Sequence, residues 1–170
     1  GVLTTRQRRA LLDAYNAVLD GLTLARVEDQ AAGIAMTLPT GIVAFDRYEA
    51  PFAHYETSDG ALADPEARVL LISQTGNRST LSGLYDVLQT LDIVPLNGSR
   101  DLRGDSFTIT GQDARRTTYI EAKLTDGVIK GFALVWPTGD EARRARLLGI
   151  MQASFTRLDG VLDATAGLKA

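Results

Sequence analysis

The chain has 170 residues, 45% hydrophobic and 23% charged, which supplies one globular domain with a sizeable core and argues against disorder. A net charge of −3 argues against a nucleic-acid footprint, because binding a phosphate backbone demands a basic surface, and no apolar run approaches the roughly 20 residues of a membrane span. The lack of cysteine excludes disulfides, thiolate catalysis and cysteine-ligated metals, and a single histidine excludes a multi-histidine metal site.

The chain starts at Gly1 without an initiator methionine, so it is expected to be a processed product or a segment of something longer. Thr4 and Gln7 have the spacing of a capping box. Leu11, Ala14, Tyr15, Val18 and Leu22 then recur at helical intervals until Gly21 offers a stop, which predicts an N-terminal helix over 5–20. Its basic start at Arg6, Arg8 and Arg9 and its later Asp13 and Asp20 oppose the helix dipole, so packing has to hold it. From Gly33 the period changes. Ile34 to Leu38 and Ile42 to Tyr48 flank Pro39-Thr40-Gly41 and predict a hairpin, and Phe52 to Glu56 reads as a further short strand.

Ser58 to Glu66, rich in Asp, Gly and Ala, predicts an exposed loop, and Val69 to Ile72 a fully buried strand. Gly76-Asn77-Arg78 turns the chain, with Ser79 as the expected cap of a second helix whose inner side carries Leu81, Leu84, Tyr85, Leu88 and Leu91. Pro95 to Gly104 reads as a polar loop and Ser106 to Thr110 as an edge-like strand. The strongest local signal follows. Tyr119, Glu121 and Lys123 alternate with Ile120, Ala122 and Leu124, Asp126-Gly127 supplies a hairpin turn, and the return strand from Val128 to Trp136 is apolar on both faces. Phe132, Leu134 and Trp136 lie on one face, Ile129, Ala133 and Val135 on the other, so this strand should be central and covered twice.

Thr138 and Glu141 have capping-box spacing for a last helix, on which Leu147, Ile150, Met151, Ser154 and Phe155 form one stripe. Arg143 and Arg144 stand on the same side as that stripe, near the positive end of the dipole, where either their alkyl stems cover the sheet edge with the heads in water or they form an anion or partner site. Residues 159–170 lose periodicity and predict a C-terminal linker after a single domain over 1–158. The resulting fold class is α+β, a mostly antiparallel sheet flanked by helices. The two later helices should lie on opposite sides of it, or the first helix should cover the side they leave.

No constellation of residues spells a reaction. His54, beside Phe52 and Tyr55 and two residues from Glu56 on the same strand face, could be a base oriented by a carboxylate or an ordinary strand histidine. Thr75 to Thr80 lacks the glycine spacing and the lysine of a phosphate-binding loop. The candidate ligand or partner residues are therefore His54, Glu56, Arg143 and Arg144, with no catalytic residue, metal or cofactor assigned.

Laid in order, Leu38-Pro39-x-Gly41, a buried strand, a helix, three antiparallel strands and a helix closing on Ser154-Phe155 resemble the Mog1/PsbP-like fold from Gly33 to Phe155. Pro51-Phe52-Ala53-His54-Tyr55, Gly131 to Pro137 and Ala153 to Asp163 are in addition similar to a region of multidomain alphaproteobacterial envelope proteins. There it lies between a peptidoglycan-binding-like segment and a trypsin-like serine protease domain. The resemblance implies a non-catalytic binding or regulatory module of a larger exported protein in the periplasm or cell envelope. Its partners would be another protein, neighbouring domains of the same chain, or peptidoglycan. Gly104-Asp105-Ser106-Phe107 lacks the final glycine of a trypsin-like nucleophile motif, so any protease triad would lie outside these residues. The alternative is a small-molecule-binding domain or enzyme with an apolar pocket near His54.

Overall fold

The computed structural model describes residues 2–19, 22–57 and 67–163. The fold is built outward from the hairpin of β8 (Arg116–Thr125) and β9 (Val128–Pro137). Asp126 and Gly127 both take positive φ, 52° and 77°, which two central residues of a primed hairpin turn require. β9 pairs on one side with β8 and on the other with β5 (Arg68–Thr75), antiparallel in both cases. Beyond β5 lie β4 (Phe52–Thr57) and the edge strand β3 (Val43–Glu49), and beyond β8 lie β7 (Ser106–Gln112) and the edge strand β6 (Arg100–Arg103). The seven strands run in the order β3-β4-β5-β9-β8-β7-β6.

A second, three-stranded sheet stacks on one face of the first. In it β2 (Ile34–Leu38) is flanked by β1 (Ala25–Asp29) and the two-residue β10 (Thr156–Arg157). Ile34, Met36 and Leu38 pack there against Phe132, Leu134 and Trp136, with Leu147 and Met151 of α3 (Glu141–Ser154) closing the same core. On the opposite face of the large sheet, α2 (Arg78–Leu88) buries Leu81, Leu84 and Leu88 against Ile129, Ala133 and Val135. The two later helices thus lie on opposite sides, because each face of β9 is apolar and needs its own cover. The fold class, α+β with antiparallel sheets flanked by helices, is as expected.

Several expectations are corrected. Ile34–Leu38 and the strand after it do not form a hairpin: β2 and β3 belong to different sheets. The turn at Pro39–Val43, closed by bonds from the Ile42 and Val43 amides to the Pro39 carbonyl, is a corner between sheets. A Pro-Gly turn bends the chain without choosing the next strand's partner. β1 went unseen because Ala25–Asp29 is mostly polar. Within the expected loop 95–104, β6 is likewise too polar to read, and it makes β7 an inner strand rather than an edge. α2 is capped by Asn77 and not Ser79: the Asn77 side chain accepts from the Thr80 amide while Thr80 Oγ1 accepts from the Asn77 amide. The box expected at α3 does not form, since Thr138 donates to the Asp113 carbonyl and Asp140 caps without a side-chain bond.

The segment expected as a linker from 159 is instead docked as far as Asp163. Leu162 is buried, its amide donates to Ser73 Oγ, and the Asp163 carboxylate accepts from the amide and hydroxyl of Thr75. Periodicity could not show this, because an irregular strap has none. The loop 58–66, the Gly21 stop and residues 164–170 lie outside the described residues. α1 (Thr5–Leu19) begins with the predicted reciprocal bonds between Thr4 and Gln7 and lies across α3.

Candidate functional site

The four candidate residues do not converge. Ala53 and Tyr55 face the core shared with α3, so Phe52, His54 and Glu56 point from the other face of the large sheet. Arg143 and Arg144 sit in the first turn of α3, on the opposite side of the sheet. Glu56 does share a face with His54, as the strand period required, but neither ring nitrogen is hydrogen-bonded. Nδ1 lies 3.6 Å from Glu56 Oε1 and Nε2 3.6 Å from Glu49 Oε1. Arg47 Nη1 takes Glu56 Oε1 at 3.3 Å, and Arg68 Nε stands 3.8 Å from the same oxygen. Burial lowers the His54 pKa, Arg47 and Arg68 lower it further, and Glu49 and Glu56 oppose them. The imidazole is largely buried, at 7% exposure, and an open apolar hollow on that side of the sheet is lined by Pro51, Phe52 and Leu84 rather than by His54.

The α3 arginines are offset locally. Arg143 Nε lies 3.5 Å from Asp140 Oδ2, and Arg144 Nη2 donates to Glu141 Oε2 at 3.1 Å. The Arg144 bond and the Gly139 amide hold the Glu141 carboxyl below its ordinary range. These carboxylates answer the dipole cost of two cations at a helix start. Arg144 also borders an open polar cleft of about 310 Å³ with Thr110, Gln112, Thr117 and Tyr119.

Three groups that sequence reasoning passed over hold the molecule together or open it. Asp29, 4% exposed at the end of β1, accepts from Tyr48 Oη at 2.8 Å, Tyr55 Oη at 2.7 Å and the Ala32 amide at 3.0 Å, tying the small sheet to the β3-β4 hairpin. Burial, reinforced by Asp29, pushes Tyr48 up to about 12 and Tyr55 higher still. Lys130, 3% exposed, is the one charged side chain in β9. Its Nζ donates to the carbonyls of Gly33 (2.6 Å), Leu158 (2.7 Å) and Gly160 (2.6 Å). That clasp requires close backbone approach: a Cβ on Gly33, at φ +68°, would fall 1.9 Å from the Gly160 carbonyl oxygen. A lysine inside an apolar strand was the available signal for it.

The third group is an apolar cleft of about 310 Å³ between α1 and α3, with Arg6, Arg9 and Ala10 on one wall and Gly149, Ile150 and Ala153 on the other. It could not be read from sequence because its two walls come from opposite ends of the chain. Among the described residues no three His, Cys, Asp or Glu side chains come together as metal ligands, and no helix is long and apolar enough to cross a membrane.

No family model and no curated protein matches the chain. Among solved structures it is similar to cyanobacterial PsbP (CyanoP) from Synechocystis sp. PCC 6803, with TM-score 0.51 and 14% identity over 80% of this chain and 93% of that one. A protein from Bacteroides thetaiotaomicron VPI-5482 aligns with TM-score 0.46 and 13% identity over 79% of this chain and 48% of its own. The first likeness shows a PsbP-like fold, as the order of elements implied, and at that identity it shows the fold alone.

Proposed function

We propose that this chain is a non-catalytic binding or regulatory module of a larger exported protein in the periplasm or cell envelope. The observation that carries the reading is the outer side of α1. Leu11 is 62% and Leu12 56% exposed, and Val2 and Leu3 ahead of them are exposed too, so this stretch presents apolar surface that the described residues do not cover. A protein partner or a neighbouring domain of the parent chain is the occupant this reading assigns. Residues 51–55, from the turn before β4 into that inner strand, and 131–137 in inner strand β9 carry the likeness to envelope proteins, and 153–163 run from the end of α3 through β10 into the docked strap. They support a shared scaffold, within which a trypsin-like protease domain and a peptidoglycan-binding segment would be the neighbours.

The test is capture of the remaining parent domains, and separately of purified peptidoglycan, by this chain and by a Leu11→Asp/Leu12→Asp variant. Retention of a parent domain by the wild type and its loss in the variant is the expected result. Retention of neither the domains nor peptidoglycan removes the reading.

A further inference from the structure

The other side of α1 carries a separate feature. Helical spacing puts Arg6, Arg9 and Ala10 toward α3 while Leu11 and Leu12 turn outward, so the cleft and the exposed leucines are different surfaces of one helix. The cleft is lined mainly by carbon, from Ala10, Ile150 and Ala153 and the bare backbone of Gly149. Its floor is closed by Thr37 of β2 and Ser154, and these are already bonded to one another: the Thr37 amide donates to Ser154 Oγ at 2.9 Å, and Ser154 Oγ donates to the Met151 carbonyl. The floor therefore demands nothing polar from an occupant. The rim does. Arg6 and Arg9 reach the cleft from one helix and neither makes an ion pair with a described residue, whereas Arg143 and Arg144 of the facing helix have carboxylate partners. The nearest acidic residue along the chain is Asp13, one helical turn beyond Arg9.

Two guanidinium groups with no ion pair among the described side chains, at the rim of an open apolar cleft, match one chemistry. We propose that the α1/α3 cleft binds a small amphiphile that carries an anionic head and an alkyl tail. The head pairs with Arg6 and Arg9, and the tail lies along Gly149, Ile150 and Ala153. A volume of about 310 Å³ falls at the lower end of ligand pockets and accepts a single chain rather than a two-chain lipid body. Whether the head is the carboxylate of a fatty acid or the phosphate of a single-chain lipid, the recognising groups are the same.

Gly149 provides the means of testing it. A Cβ built there meets nothing within 4 Å, so a larger side chain enters the cleft without displacing the fold. The full chain is titrated with sodium decanoate and with decyl phosphate below their micelle concentrations, followed by amide chemical shifts, with decyltrimethylammonium as the tail-only control. Saturable shifts centred on Ala10, Gly149 and Ala153 are expected, with the cationic amphiphile at least about tenfold weaker, a difference of about 1.4 kcal/mol. Decanoate and decyl phosphate differ only in which head is preferred. Gly149→Leu should abolish the saturable binding with its melting temperature kept, and Arg6→Glu/Arg9→Glu should weaken it about tenfold. If Gly149→Leu does not fold, Ala153→Leu fills the same slot from one turn further along.

Equal binding of the cationic amphiphile overturns the proposal, and so does binding that survives both plugging variants. Shifts confined to Leu11 and Leu12 overturn it as well, and would leave the partner-binding reading of the outer face untouched.

Discussion

α1 and α2 look alike in sequence and behave oppositely in the structure. Both are amphipathic and both open with a reciprocal capping box, Thr4 with Gln7 and Asn77 with Thr80. α2 turns Leu81, Leu84 and Leu88 into the core beneath it, whereas α1 leaves Leu11 and Leu12 in solvent and rests on α3 through a side that carries two arginines. The difference teaches that a helical period shows a face to be apolar without showing what covers it. For α2 the cover is the sheet. For Leu11 and Leu12 of α1 the described residues supply none.

Substitutions in the sheet and in the two helices test the contrast. The reference point is the centre of the sheet: Phe132 is fully buried, and Phe132→Ala should cost roughly 3 to 5 kcal/mol. A loss under about 1 kcal/mol in urea unfolding would show that β9 is not the organising strand. Next comes the direct comparison. Leu88→Ala, at 0% exposure, should cost about 2 to 5 kcal/mol, and Leu12→Ala should stay within about 0.5 kcal/mol. Comparable losses at the two sites would mean that α1 is covered by the domain after all, and would undercut its role as a partner surface.

Lys130→Met tests the strap in the same terms, because it leaves three buried carbonyls without their donor; a loss of about 1 to 3 kcal/mol is expected, with faster proteolysis after residue 157. Unchanged protease resistance would argue that β10 and Asp163 suffice to hold the segment. A smaller effect belongs to the caps. Asn77→Ala should cost about 1 kcal/mol and Thr4→Ala less, since fraying of α1 uncovers little buried surface.

The smallest effect expected is a pH dependence at His54. Its folded pKa lies below the ordinary 6.5, so between the two values the unfolded chain binds more protons and stability rises with pH. Acidification from about 6.5 through that window should therefore destabilise the protein, and His54→Leu should flatten the curve. A curve that His54→Leu leaves unchanged would place the titration elsewhere.

What the amino-acid sequence determined by itself is what neighbours along the chain can decide. The hairpin at Asp126-Gly127 follows from two residues that accept positive φ, and the inner position of β9 follows from apolar residues on both of its faces. That each face of β9 needs a cover follows in turn, but the same reading allowed α1 to cover one of them, and the structure places α2 and α3 on opposite sides. His54 and Glu56 were correctly placed on one strand face, yet their separation from Arg143 and Arg144 by the whole sheet could not be read, since a period of two has no knowledge of which side a distant helix takes.

Tertiary structure decided the rest. β2 pairs with β1 just before it and with β10 more than 100 residues away, while the Pro-Gly turn after it leads into the other sheet, so the turn did not choose the partner. Lys130 lies 97 residues from Gly33 and 28 from Leu158, and only when the sheets stack does its ammonium meet all three carbonyls. The α1/α3 cleft exists for the same reason. Local hydrogen bonding and side-chain alternation are short-ranged and leave their mark on the sequence, whereas contacts between remote segments are set by how buried faces find each other, and they leave almost none.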